Sequence, residues 1–336
     1  MISADLHDEL DRLLNECAHF ALGARGTTNH CPMTLVALAK MGATPGQLRA
    51  HFDFWRTKYA LDEAHPRIPL TAENWTTLTG VREAFGSLQA YLSQWVASGG
   101  AQPVIEAVLR QVPMAPASEA FHAIIRTGYG LESGNASEIA AGLAAYVAAN
   151  LRSDVDLSGR DRIASVQEGF GRLSDRFCHA KWPGISITDK LRVISADPAF
   201  GDELRLPPMG PDFLADLRRA AIALYWQTAD FTVLHMVTGT HAARLLLTQI
   251  PPDLAQRFYP ALWVSMAAAY VSVGAPREKS IAIAEHVLAW DDILARAILA
   301  DDDHVVKMVY TSHIESLVDA NPLYRAAASR LVRRTG

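Results

Sequence analysis

The sequence predicts an all-α protein, on three observations. Apolar residues recur at helical spacing, helix starts and stops are chemically marked, and strand signals are nearly missing. Alanine, the best helix former, is the commonest of the 336 residues. Half of the chain is apolar and a fifth is charged, proportions that fit a globular protein and exclude a disordered one. The expectation is one multi-helix domain spanning residues 1–336, with about twelve to fifteen helices.

From the N-terminus, Leu6, Leu10, Leu13, Leu14 and Cys17 mark the apolar stripe of a first helix. Thr44-Pro45 places a capping hydroxyl ahead of proline at the first helical position, and Thr71-Ala72-Glu73 reads as a similar start. Ile139, Leu143, Tyr146, Val147 and Leu151 form another stripe. Gly42, Gly80, Gly99-Gly100, Gly130 and Gly274 each follow a periodic stretch and read as helix stops. Only Ile185-Ser186-Ile187-Thr188 alternates like a strand, and no Asn-Gly or Asp-Gly hairpin turn occurs. Tyr259 to Pro276 is the longest uncharged run, but Pro260, Ser265, Ser272 and Gly274 interrupt it. It falls short of the roughly 20 apolar residues of a membrane span, so a buried core helix is expected. Ser153 to Asp161 and the proline-rich Asp197 to Asp212 read as loops. No repeat of constant period is present, which excludes a regular solenoid.

A net charge of −5 gives no long-range attraction to phosphate, so nucleic acid is not an expected partner. The cysteines, Cys17, Cys31 and Cys178, form no C-x-x-C pair. They fit a reducing compartment rather than a disulfide scaffold. The first ten residues, Met1 to Leu10, are acidic and lack the apolar segment of a signal peptide, so a cytoplasmic protein is expected.

No phosphate-binding loop, H-E-x-x-H or G-x-S-x-G motif occurs. Gly128-Tyr129-Gly130, followed by Leu131-Glu132-Ser133-Gly134, is one residue too long for a dinucleotide fingerprint and follows no strand. Histidine is more informative. Of twelve, His30, His122, His235 and His304 stand in apolar or unusual local settings. One such histidine is usually a hydrogen-bonded core residue. Four invite a shared metal, which would occupy one nitrogen of each ring and leave the other for an outer partner. Lys307 follows His304 by three and lies among Val305, Val306, Met308 and Val309. It either pairs with Asp303, snorkels to solvent, or becomes neutral and reacts with CO₂ to give an anionic carbamate ligand.

Four blocks, taken together, resemble the questin oxidase-like family. They are Asn29-His30, then Phe121-His122-x-x-Ile125-Arg126-x-Gly128-Tyr129-Gly130-x-Glu132. Next come Phe231-Thr232-x-Leu234-His235-x-Val237-Thr238-x-x-His241-Ala242-x-Arg244 and Asp302-Asp303-His304-x-x-Lys307. The family is named for opening an anthraquinone ring by oxygen insertion, formally a Baeyer–Villiger reaction. The resemblance implies an all-helical oxygenase with a central metal and substrate cavity and one non-haem Fe(II). Its ligands, carried over by position, would be His30, His122, His235, His304 and carboxylated Lys307. Implied partners are O₂ and a small aromatic substrate. No binding fingerprint supports NADPH, and an electron-rich hydroquinone could itself supply electrons.

Further roles are open at this stage. Arg126 could bind a phenolate or form a structural ion pair. Glu132 could hold a ligand imidazole. His241 could be a general acid–base or pack between helices. Trp226, Trp263, Tyr225 and Tyr270 could line an aromatic pocket or the core. Two other function classes compete. A helical metal-dependent hydrolase is disfavoured because His-Asp occurs only at His7-Asp8. A non-enzymatic interaction module leaves the four histidines and Lys307 without a role.

Overall fold

The computed structural model describes residues 3–60, 63–210, 212–280, 282–283 and 286–334. Its order is α1 (Ala4–Cys17), β1 (Gly23–Ala24), β2 (Thr27–Thr28), α2 (Cys31–Met41) and α3 (Pro45–Lys58). Two 3₁₀ turns, Trp75–Leu78 and Arg82–Ala84, lead into α4 (Phe85–Gly99) and α5 (Ala101–Gln111). Then follow α6 (His122–Ser133), α7 (Ala136–Ala148), α8 (Val166–Phe177), α9 (Ile187–Ser195) and α10 (Pro198–Glu203). The chain continues with α11 (Phe213–Thr228), α12 (Phe231–Leu247) and α13 (Pro252–Ser272). It closes with α14 (Trp290–Ile298), α15 (Asp303–Val318) and α16 (Pro322–Arg334). The protein is all-α, and its only sheet among the described residues is the small antiparallel pair β1–β2.

The predicted stripe of α1 is buried as read, and Thr44 caps α3 through a reciprocal capping box with Gln47. Gly42 ends α2 in the left-handed conformation that residues with a Cβ avoid. Other expectations are corrected. Thr71 begins a turn into a 3₁₀ segment rather than an α-helix. Gly130 lies inside α6, whose stop is Gly134. A Cβ at Gly130 would stand 2.7 Å from the Ile139 backbone nitrogen, so this glycine serves the close approach of α7. Ile185 to Thr188 is not a strand, because the Ser186 hydroxyl caps α9. The long uncharged run forms the buried part of α13, and no described helix is long and apolar enough to cross a membrane.

The buried apolar side chains form one continuous core. At its centre α6 packs against α2, α7 and α12, while α15 packs against α2, α12, α14 and α16. Ring contacts among His30, His122, His235 and His304 bring the beginnings of α2, α6, α12 and α15 together.

Candidate metal centre

Each of the four histidines lies at or near the start of a helix. His30 is the cap residue of α2 and follows the β1–β2 hairpin, which is tied down by the Asn29 amide donating to the Leu22 carbonyl at 3.0 Å. His122 is the first residue of α6. It follows three consecutive left-handed residues, Glu119, Ala120 and Phe121, with φ of 53°, 54° and 71°. Each costs about 1–3 kcal/mol when not glycine, and such strain is concentrated at functional sites. His235 is the fifth residue of α12, which Asp230 caps, and His304 is the second residue of α15, which Asp302 caps.

The rings converge. The His122 Nε2 lies 2.9 Å from that of His30 and 3.3 Å from that of His235. One ring nitrogen from each of His30, His122 and His304 falls within 4.8 Å of the others. The His235 and His304 rings are 5.5 Å apart. The outer nitrogens meet oxygens. The Nδ1 of His122 reaches the Glu119 carbonyl at 2.5 Å, and that of His235 reaches the Phe231 carbonyl at 2.8 Å. The Nδ1 of His304 is 3.2 Å from the Asp302 carboxylate, and that of His30 is 3.7 Å from Asp303.

These contacts fix the tautomers of His122 and His235. A carbonyl only accepts, so each Nδ1 carries the proton, and a neutral ring then has a bare lone pair at Nε2. Two lone pairs facing one another at 3.3 Å repel unless a cation lies between them. Burial, first of all, holds His30, His122 and His235 well below the ordinary histidine pKa, with further lowering from neighbouring imidazoles and Lys307. Protonation is therefore opposed. The His304 Nε2 is buried with no hydrogen-bond partner. Adjacent donors around one ion, each about 2.1 Å from it, stand roughly 3 Å apart, so the donor set fits a metal.

Lys307 is 2 % exposed. It does not snorkel, and it makes no ion pair with Asp303 or any other described carboxylate. Burial pushes its ammonium down to about 8, against the opposing charges of Asp303 and Asp302. Asp303 is engaged elsewhere: it accepts from the Trp55 indole at 3.2 Å and lies 3.5 Å from His51. The Glu119 carboxylate pairs with Arg82 and accepts from the Thr28 hydroxyl at 3.3 Å. Sequence reasoning did not assign Glu119, Asp302, Asp303 or Phe231. The acidic pair directly before His304 was a usable signal for two of them, whereas the left-handed turn at Glu119 contains no glycine to announce it.

Glu132 and His241 are placed away from this centre, and Arg126, one turn after His122, is engaged by a different partner. Arg126 makes a buried bidentate pair with Glu138 of α7, at 2.7 and 2.9 Å. Glu132 follows His122 by ten residues, about 15 Å along the helix, too far to hold a ligand imidazole. Instead its carboxylate is 3.6 Å from the His241 Nε2. The His241 Nδ1 donates to the Glu315 carboxylate at 2.7 Å, and Arg244 and Arg218 complete a second buried polar cluster. Burial lowers the His241 pKa, but the Glu132 and Glu315 carboxylates outweigh it and raise the net value. Trp263 is core, and Tyr270 lines a cavity of about 570 Å³ that includes none of the four histidines. Gly128 and Gly130 lie within α6 with no preceding strand, so they form no dinucleotide turn.

Comparison with known proteins agrees with the four sequence blocks. The family model described as "Questin oxidase-like" matches residues 27–191 and 214–312, well over half of the chain. No curated protein matches. The matched segments contain all four histidines and Lys307, and the chain belongs to the questin oxidase-like family, an oxidase family by its name.

Proposed function

We propose that the protein is a non-haem iron-dependent oxygenase that uses O₂ to oxidise and cleave a planar aromatic, polyketide-like substrate such as an anthraquinone or hydroquinone. The proposed ligands are His30, His122, His235, His304 and carboxylated Lys307. The supporting observation is the buried convergence of imidazole nitrogens whose outer positions are already engaged by oxygen atoms. Imidazole and carboxylate-type oxygen suit iron, manganese or zinc, and the oxidase name of the family supports a redox-active ion, for which iron is the proposal. Bound Fe(II) would supply the electron transfer that lets ground-state O₂ react.

The chain's own residues do the remaining work. The carbonyls of Glu119 and Phe231 hold two imidazoles in a fixed tautomer and orientation. The Asp302 carboxylate does the same for His304, and Asp303 lies 3.7 Å from the His30 Nδ1. Burial excludes bulk water, which protects reactive species from side reactions. In carboxylation, the neutral Lys307 amine bonds to the carbon of CO₂ and releases one proton to solvent. The product carbamate is an anion where the structure otherwise provides an unpaired ammonium. A hydroquinone substrate supplies electrons, so no NADPH site is required.

Elemental analysis of protein purified without a metal-binding tag tests the reading. About one iron per chain, lost in His304→Ala and reduced in Lys307→Ala, is the expected result. Oxygen uptake with phenols and quinones then distinguishes oxygenase from hydrolase. Zinc or manganese without oxygen uptake would favour the hydrolase. Absence of metal after anaerobic Fe(II) reconstitution would overturn the ligand assignment.

A further inference from the structure

We infer that Phe231 is the aromatic platform on which a planar substrate stacks at the mouth of the histidine site. The inference rests on the oxygenase reading for the identity of the substrate, and on the following geometry for its location.

His30, His122 and His235 are buried, so solvent reaches the cluster from the side of His304, whose side chain is 18 % exposed. Phe231 stands on that side. Its ring centre is 4.6 Å from that of His304 and 4.7 Å from that of His235. It is 53 % exposed, the most exposed aromatic residue among those described. Phe54, the next, packs edge-on against Tyr59 and lies under the Lys58 ammonium. Phe231 meets both imidazoles at steep angles, 70° and 63°, and no described ring lies parallel to it. A surface aromatic with no stacked neighbour, touching two proposed ligands, has the form of half a binding site.

The position of Phe231 is also fixed. It is the first residue of α12, and Asp230 caps that helix through the amides of Thr232 and Val233. The Phe231 carbonyl accepts from the His235 Nδ1 at 2.8 Å. The residue has two separable parts: the carbonyl orients a proposed ligand, and the ring faces the approach. A first-turn site on a capped helix has no local need for phenylalanine, since a polar residue would keep the carbonyl and remove the exposed apolar area.

The chemistry of the occupant follows. A flat π-system stacks on phenylalanine in an offset or edge-on arrangement at about 4.5–7 Å between centres. Laid on Phe231, it would present one edge to the His304 ring, whose centre lies 4.6 Å from that of Phe231. Flat phenols, hydroquinones and quinones meet this requirement. Flexible aliphatic substrates gain little from such a platform. Phe231 is therefore a positioning residue, and its ring sets a preference for planar substrates.

The test is titration of wild type, Phe231→Ala and Phe231→Trp with a dihydroxyanthraquinone, followed by its absorbance, with and without anaerobically loaded Fe(II). Metal content and circular dichroism are measured on each protein. The alanine variant keeps its backbone carbonyl and is expected to bind iron as wild type does, while its affinity for the probe falls about tenfold or more. In turnover KM rises more than kcat falls, and tryptophan restores both binding and KM. Equal probe affinity in wild type and Phe231→Ala would overturn the proposal, as would failure of wild type to bind the probe. Loss of iron together with probe binding in Phe231→Ala would also overturn it, since the ring would then be a shield for the ligands. Probe binding that depends on Phe231 in a protein that takes up no iron would support the platform and refute the iron reading alone.

Discussion

Removing the carboxylate charge opposite Arg126 should be among the most destabilising single changes in the protein. The Arg126 Nε and Nη2 donate to Glu138 at 2.7 and 2.9 Å. Both side chains are at most 3 % exposed. Two unit charges about 4 Å apart attract by about 4 kcal/mol at an effective dielectric of 20. Glu138→Gln deletes one charge and leaves the guanidinium buried without its counter-ion, a change that costs about 3–5 kcal/mol. The double variant Arg126→Met/Glu138→Leu removes both charges and fills the space with apolar atoms. It should recover most of the loss, because the desolvation penalty disappears together with the attraction. Equilibrium urea unfolding of the two proteins and wild type, at matched metal content, measures the differences. A loss below about 1 kcal/mol in Glu138→Gln would refute the reasoning, as would a double variant no more stable than the single. Oxygen uptake separates the roles considered for Arg126. A stable, metal-replete double variant without activity would place Arg126 in the chemistry, and full activity would confine it to the α6–α7 interface.

Two further outcomes are expected. Burial raises the Glu315 carboxyl, but the His241 hydrogen bond and the charges of His241, Arg244 and Arg218 outweigh it and hold it at about 2, against an ordinary 4.5. This depressed pKa contributes stability that is complete above about 4.5 and is lost as pH falls toward about 2, so between pH 5 and pH 3.5 wild type should lose roughly 1 kcal/mol more than Glu315→Gln in urea midpoints. Equal losses would show that the cluster does not hold Glu315 ionised. Gly142→Ala should cost about 1–3 kcal/mol by the same assay, because its Cβ would meet the Thr127 side chain and stand 2.5 Å from the Thr127 backbone nitrogen. A neutral result would mean that α6 and α7 can separate without penalty.

The local chemistry of the helices was largely legible from sequence. The stripe of α1 and the Thr44-Pro45 start depend on neighbours within one or two turns, and both hold. Gly130 was misread because glycine also serves close helix packing, and only the approach of α7 shows which role applies. Ile185 to Thr188 was ambiguous because a cap residue between two apolar residues mimics strand alternation. The four histidines could be nominated by their apolar settings. Their meeting could not be read, since it depends on how α2, α6, α12 and α15 pack across long stretches of chain. The sequence allows Glu132 to hold a ligand imidazole and His241 to be a general acid–base or a packing residue; helical rise carries both to a second cluster, where they meet each other.

The convergence of helix beginnings has an electrostatic consequence. The amide dipoles of a helix leave about half a positive charge at its N-terminus, worth about 0.3–1 kcal/mol to a nearby anion. Here four such ends each bring a histidine to one cluster. Asp230 and Asp302 answer two of them, while the cap residues of α2 and α6, His30 and Phe121, offer no side-chain acceptor. The uncapped ends of α2 and α6 therefore favour an anionic ligand beside the histidines, such as a carbamate, over an ammonium at Lys307. Under the function proposed above, a phenolic substrate would gain from this field as its phenolate and not as its neutral phenol.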